Sequence, residues 1–288
     1  MMNIRFWGVR GSIATAGPQT AQVGGNTSCV EVRCGDELII LDAGTGLRGL
    51  GAELAAHRGG HQSAHILLSH FHWDHIQGFP FFAPAYVPGW KLALWGDAPG
   101  GDVRGAFAAQ MRAPHFPIGL DVMRADLSFH AARAGGAFQL GGATVRTAAA
   151  CHPNGCLAWR IDYAGRSLVY ATDHEHGAED GRVDACLVEL ARGADVLIYD
   201  AQYTDAEYSG ACGNGGRRGW GHSTASEGAR VARAAGVGEL VLFHHDPSHD
   251  DWQVARIEAE TQALFPAVRA AREGLVIHLA ERDAQAAA

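Results

Sequence analysis

The chain has 288 residues, of which 47% are hydrophobic and 19% charged, a balance that excludes a disordered or fibrous protein and fits one large domain or two small ones. A formal charge of −8 argues against a general nucleic-acid binder, whose affinity comes largely from Lys and Arg on phosphates. No stretch approaches the roughly 18 apolar residues of a membrane span, residues 1–8 lack the apolar core of a secretion signal, and six cysteines without a CxxC pair read as reduced thiols of a cytoplasmic protein, most of them core filler.

Residues 3–9 read as a strand, and 28–34 and 37–42 as two more, joined by a hairpin turn at Gly35-Asp36. Leu38-Ile39-Ile40-Leu41 is the continuous apolar run expected of a strand buried on both faces. Gly24-Gly25-Asn26-Thr27-Ser28 can be a loop at the mouth of a site or an ordinary turn ahead of a strand, and the turn is favoured. Asp42-Ala43-Gly44-Thr45-Gly46 leads into a helix ending near Ala56. Residues 64–69 form another buried strand that runs directly into His70. The segment 77–105 is rich in proline and aromatics, with a strand at 91–95. A helical stretch covers 105–111, and Pro114 and Pro117 bar helix beyond it. Strands follow at 143–149, 157–163 and 167–171, the last two joined by Ala164-Gly165-Arg166. Residues 196–199 are a strand ending in Asp200. Six glycines between 210 and 221 mark a loop. Residues 223–235 read as a helix, 239–243 as a strand ending in His244, 250–272 as one long helix, 275–279 as a final strand and 285–288 as a fraying end. Two successions of strands followed by helix predict two sheets packed face to face with helices outside, in a single domain of 1–288. The aromatics at Phe81, Phe82, Tyr86, Trp90, Trp95 and Phe107 make 77–130 a candidate cap over a small pocket, with at least half of them expected in the core.

The chain carries 16 histidines, and ten of them fall in five short segments. The densest is His70-Phe71-His72-Trp73-Asp74-His75, four ligand-type side chains in six residues after a buried strand. Alternation puts His70 and His72 on one side of an extended chain, and Asp74 and His75 turn to a neighbouring position. One loop can therefore offer two ligands to each of two adjacent cations. Imidazole and carboxylate suit zinc and also accept manganese or iron. Further ligand candidates, His152, Asp173 and His244, stand at or just beyond predicted strand ends, where a sheet holds side chains rigidly.

These residues resemble the metallo-β-lactamase-fold hydrolases, and within them the branch of tRNase Z and related phosphodiesterases. The resemblance is carried by Asp42 in Leu41-Asp42-Ala43-Gly44-Thr45-Gly46, the HxHxDH run, His152, Asp173, Gly221-His222-Ser223-Thr224 and Leu242-Phe243-His244. It implies an αββα sandwich holding two divalent metal ions, with zinc expected ahead of manganese or iron. One ion would take His70, His72 and His152, the other Asp74, His75 and His244, and Asp173 would bridge them. Asp42 would support the ligand loop from behind. The doublet His244-His245 leaves either residue as the last ligand, with strand register favouring His244. His174, Glu175 and His176 either orient a ligand imidazole or form a polar turn.

Two cations about 3.5–4 Å apart can lower the pKa of a shared water toward neutrality and stabilise charge on the substrate. The catalytic candidates are Asp74, in the ligand loop, and His222, whose imidazole can protonate a leaving oxygen. His222 can alternatively help to cap the helix that follows, for which Ser223 is itself a candidate N-cap with Glu227 in the first turn. Arg217 and Arg218 can meet phosphate or serve as solvated loop charges. The resemblance implies a long arm between the histidine and the bridging aspartate in tRNA-processing enzymes. Here residues 153–172 read as two strands and a turn. The expected substrate is therefore a small phosphodiester, a cyclic nucleotide or cyclic phosphate, with nucleic acid and membrane disfavoured and the oligomeric state, a homodimer included, left open. The alternatives are an RNA-processing endonuclease, a lactone, β-lactam or thioester hydrolase, a diiron redox protein and a non-catalytic binding module. Position 72 departs from the HxExD run of the redox class, and the filled ligand positions disfavour a binding module.

Overall fold

The computed structural model describes residues 1–56, 62–176, 183–213 and 215–282; the expected frayed end at 285–288 lies outside them. In chain order the first half comprises β1 (Met2–Gly8), β2 (Cys29–Cys34), β3 (Glu37–Leu41), α1 (Gly46–Ala56), β4 (Ser63–Leu67), α2 (Trp73–Ile76), β5 (Lys91–Gly96), α3 (Val103–Gln110) and β6 (Asp126–Ala131). The second half comprises β7 (Ala137–Leu140), β8 (Ala143–Ala150), β9 (Cys156–Tyr163), β10 (Arg166–Ala171), α4 (Ala185–Ala191), β11 (Val196–Asp200), α5 (Asp205–Ser209), α6 (Ala225–Ala235), β12 (Glu239–Phe243), α7 (Asp251–Gln262), β13 (Val268–Ala270) and β14 (Val276–Leu279).

The strands make two seven-stranded sheets, ordered β14-β1-β2-β3-β4-β5-β6 and β13-β12-β11-β10-β9-β8-β7. Strands β3 to β6 run parallel, as do β10 to β13. Period-two alternation builds the layers. Ile39 and Leu41 join Leu168, Tyr170 and Phe243 in a core between the sheets, while Leu38 and Ile40 face the helices of the first half. Val169 and Ala171 face α4 and α6 instead. Both faces of each sheet are therefore covered, which is why the runs Leu38–Leu41, Leu168–Ala171 and Leu240–Phe243 are apolar without interruption. The result is the expected αββα sandwich.

The reading of 250–272 as one helix is corrected. Helix α7 stops at Gln262, because Pro266 supplies no amide and bars helix at the residue before it. The chain then re-extends so that Val268–Ala270 pairs with β12. The N-cap of α6 is Thr224, whose side chain accepts from the Glu227 amide, rather than Ser223. Elements α2, α4, α5, β6 and β7 were not anticipated. Within 77–130, Phe79, Phe82, Trp90 and Phe107 are buried in the outer core of the first sheet, whereas Phe81 is 58% exposed. Half of the cysteines, Cys29, Cys34 and Cys156, are buried and the other three exposed, so core filling accounts for fewer than expected. Among the described residues no helix is long and apolar enough to cross a membrane.

Candidate metal centre

The cluster forms where parallel strands of both sheets end. Strand β4 delivers Leu68-Ser69-His70, and the chain then turns into α2, so that His72 precedes the helix and Asp74 and His75 lie in its single turn. Strand β10 delivers Asp173, β12 delivers His244, and β8 delivers His152 two residues past its end. Asp42, Asp173 and His244 all have positive φ, at 60°, 51° and 60°. That region is costly for residues with a Cβ and collects at functional sites. Here each left-handed residue turns its side chain out of a strand at the same edge of the sandwich.

Among the described residues the predicted ligands fall in two donor groups, and a third, Asp173, Asp200, His222 and His244, overlaps the second. His70, His72 and His152 form one; Asp74, His75, Asp173 and His244 form the other. In the second, the His75 and His244 Nε2 atoms are 3.2 Å apart, each 3.2 Å from Asp74 Oδ2 and 3.2 Å from Asp173 Oδ1. Ligands at roughly 2.0–2.1 Å around a tetrahedral ion lie about 3.3 Å from one another. In the first group His152 Nε2 is 3.1 Å from His72 Nδ1, and Asp173 Oδ2 is 3.7 Å from both His70 Nε2 and His152 Nε2. Asp173 thus turns one oxygen to each group.

The residues fit a pair of cations. Each inward nitrogen except that of His72 has its ring partner facing an oxygen. His75 Nδ1 meets Asp42 Oδ2 at 2.7 Å, His244 Nδ1 meets Gln202 Oε1 at 2.9 Å, His152 Nδ1 meets the Gly221 carbonyl at 2.7 Å, and His70 Nδ1 meets Ser69 Oγ at 3.1 Å. Such contacts fix the tautomer that leaves Nε2 unprotonated toward a metal. His70 Nε2 is buried with no hydrogen-bond partner, an expense that a ligated ion would remove. Burial pushes His70, His72 and His152 below the ordinary imidazole range, which keeps them neutral. Burial alone would raise the Asp74 carboxyl, but the imidazoles of His75 and His244 hold it far below the usual range.

Several supporting residues surround these donors. Asp42 accepts from the Ser69 amide, the Ser69 hydroxyl, the Tyr170 hydroxyl and His75, at 2.7–2.8 Å. Four donors on one carboxylate lock the ligand loop onto both sheets. The Ser12 amide donates to Asp74 Oδ2 at 2.7 Å. A Cβ on Gly11 would lie 2.5 Å from the His244 ring. Arg10 carries this loop, donating to the carbonyls of Gly24, Asp246 and His249. His222 stacks on His244 and directs Nδ1 to Asp200 Oδ2 at 2.9 Å. Burial opposes a charge there, but Asp200 raises the His222 pKa to about 9. His245 turns to the Ala271 carbonyl at 3.0 Å, and burial pushes it down to about 3, so His244 alone of the doublet enters the cluster. Arg217 lies over Trp220 and Arg218 over Tyr208, on the glycine loop. Thr27 exchanges hydrogen bonds with Thr45, which ties the 24–28 turn to the start of α1.

Sequence reasoning missed Gly11, Ser12, Arg10 and Gln202, and did not use Asp200. Asp200 carried a signal, since it ends a predicted strand as the ligands do. The others act through contacts between distant segments.

A Cβ on Gly221 would stand 2.2 Å from His152 Nδ1, and Gly221 has φ +85°. Gly221→Ala is therefore expected to displace His152 and cost at least one bound cation per chain, as counted by elemental analysis of protein that still melts cooperatively.

The αββα sandwich carries paired histidine and aspartate donor groups at the seam of its sheets. Residues 38–245 match the β-lactamase superfamily domain, and the chain belongs to that family. It is 35% identical over 111 residues to ribonuclease Z of Brevibacillus brevis, a match covering 37% of this chain and 31% of that protein. It is 33% identical over 101 residues to ribonuclease BN of an Escherichia coli strain, covering 35% and 31%. The aligned part is thus about a third of each relative's length. In structure it is similar to the metallo-β-lactamase fold protein YhfI of Bacillus subtilis (TM-score 0.71, 20% identity, 96% and 100% of the two chains). It is also similar to a diphosphatase of the PhnP family (TM-score 0.70, 16%, 98% and 99%) and to the short form of human tRNase Z (TM-score 0.64, 20%, 96% and 98%).

Proposed function

We propose that this protein is a phosphodiesterase of small substrates, of the cyclic nucleotide or cyclic phosphate type, working with two divalent cations, zinc foremost. The reading rests on one observation: Asp173 faces two imidazole-rich donor groups at once, with the Asp200–His222 pair beside them. His70, His72, His152 and one oxygen of Asp173 would hold the first cation, and Asp74, His75, His244 and the other oxygen the second. Such a pair supplies a nucleophilic water of lowered pKa and neutralises charge gathering on phosphoryl oxygens.

The chain's own groups do the rest. Asp200 orients His222 through Nδ1 and keeps it protonated, so Nε2 is the nitrogen left to protonate a leaving oxygen. Next to the ligand loop a cleft of about 450 Å³ is lined by Phe71, Trp73, Phe81, His115 and Phe116. It offers the organic part of a substrate an apolar surface, which supports the view of 77–130 as part of the binding region. Free cysteines suit a cytoplasmic setting.

An RNA-processing role is the second reading, favoured by the partial likeness to ribonucleases Z and BN. Against it, residues between His152 and Asp173 are taken up by the β9–β10 hairpin, and the charge is −8. The deciding experiment combines metal analysis with turnover of bis(p-nitrophenyl) phosphate, a cyclic nucleotide, a precursor tRNA, a β-lactam and a lactone. Preference for the cyclic nucleotide is expected; tRNA cleavage at a higher kcat/KM would give the second reading its case, and turnover of the lactam or lactone alone would overturn both.

Because the donors come from both sheets, cation binding should stabilise the fold. Chelation is expected to lower the melting temperature, with about 2.7 kcal/mol at stake at a hundredfold excess of cation over Kd. Calorimetry with and without added zinc reads the shift.

A further inference from the structure

Directly after Asp173 the chain continues His174-Glu175-His176, three polar side chains beyond those needed to complete the two donor groups. Glu175 is the centre of this run. Its amide donates to the Cys151 carbonyl at 2.7 Å, one residue before His152. Its carboxylate accepts from the Gly219 amide at 2.7 Å and the Tyr208 hydroxyl at 2.9 Å on Oε1, and from the Gly221 amide at 2.8 Å on Oε2. Gly221 in turn offers its carbonyl to His152 Nδ1 at 2.7 Å and is followed by His222.

We propose that Glu175 is a positioning residue that, by clasping Gly221, fixes the tautomer and aim of His152 and the placement of His222 together. The segment it holds is rich in glycine, and such backbone loses the most freedom when ordered. Charge-assisted bonds from a carboxylate to backbone amides are about twice as strong as neutral ones. Only glycine fits here, since a Cβ at 221 would meet both His152 Nδ1 and Pro153 Cδ within 2.4 Å. Its neighbours act alongside it: His174 Nδ1 accepts from the Cys151 amide at 3.1 Å, and His176 Nδ1 meets Ser223 Oγ at 2.9 Å. The run is thus a buckle joining the end of β8, the end of β10 and the loop before α6.

This inference rests on the reading of His152 as a metal ligand, and the test separates the two. Zinc affinity is measured by competition with a chromophoric chelator, alongside kcat and KM for bis(p-nitrophenyl) phosphate, in the wild type, Glu175→Ala, Glu175→Gln and Tyr208→Phe. The wild type is expected to hold two ions. Glu175→Ala should bind one of them about 10–100-fold more weakly, and kcat should fall more than KM changes. Glu175→Gln, which keeps an acceptor for Gly221 but not for all three donors, should recover part of both. Tyr208→Phe removes a bond to the same carboxylate without touching Gly221 and should bind zinc as the wild type does. If Glu175→Ala does not fold, Glu175→Gln carries the comparison. Wild-type zinc affinity and kcat in the Glu175 variants would overturn the proposal, as would Tyr208→Phe losing as much as Glu175→Ala. A wild-type protein that holds no zinc would sink the metal reading itself.

Discussion

Asp74→Ala and His72→Ala are each expected to reduce turnover to that of the chelator-stripped protein while thermal unfolding remains cooperative. Asp74 Oδ2 is the atom on which His75, His244 and the Ser12 amide converge. Without it the second donor group keeps two imidazoles and one oxygen of Asp173. His72 provides one of three imidazoles in the first group. Neither residue belongs to the three apolar clusters that hold the layers together, so the fold should survive their loss. Elemental analysis and calorimetry on the same preparations check both halves of the expectation. Full turnover in His72→Ala would remove the first group from the chemistry.

His222→Ala is expected to lower kcat by about 10²–10⁴-fold and to leave metal content intact. The Asp200 charge and hydrogen bond, working against burial, hold the His222 pKa at about 9, so the acid form persists through neutral pH. Turnover that depends on this acid should decline as pH rises through about 9. Asp200→Asn removes the largest raising influence and leaves only Asp173 and Asp74 to oppose burial, so the alkaline limb should move to lower pH. Stability follows the same sign. The folded-state pKa lies above the ordinary value near 6.5, so the stabilisation is complete below that value and is lost as pH climbs to about 9. Metal-free wild type should therefore lose urea resistance across that window, and His222→Gln should lose less. A pH profile of kcat that is unchanged in Asp200→Asn would take the pair out of the proton transfer.

Much of the architecture is legible in local sequence because both sheets are covered on both faces. Leu38–Leu41, Leu168–Ala171 and Leu240–Phe243 are uninterrupted apolar runs for that reason. The HxHxDH loop is legible because its donors are neighbours in the chain, and Asp173 and His244 because strands lead into them. Strand β7 is short, with alternating exposed positions, and carries little pattern. Strand β13 hides behind helix-compatible residues until Pro266 is given its weight. Arg10, Gln202 and Glu175 are ordinary polar residues in sequence. Their roles arise from hydrogen bonds to segments far along the chain, which no local pattern encodes.

The donors divide between the sheets: the loop after β4 provides His70, His72, Asp74 and His75, and the second sheet provides His152, Asp173 and His244. The spacing of the donor groups is consequently a vernier on how one sheet seats against the other. A void opened in the middle layer, at Trp159 or Tyr170, is expected to loosen that seating. Faults in the layer between the sheets should then surface as weakened cation binding as well as lost stability.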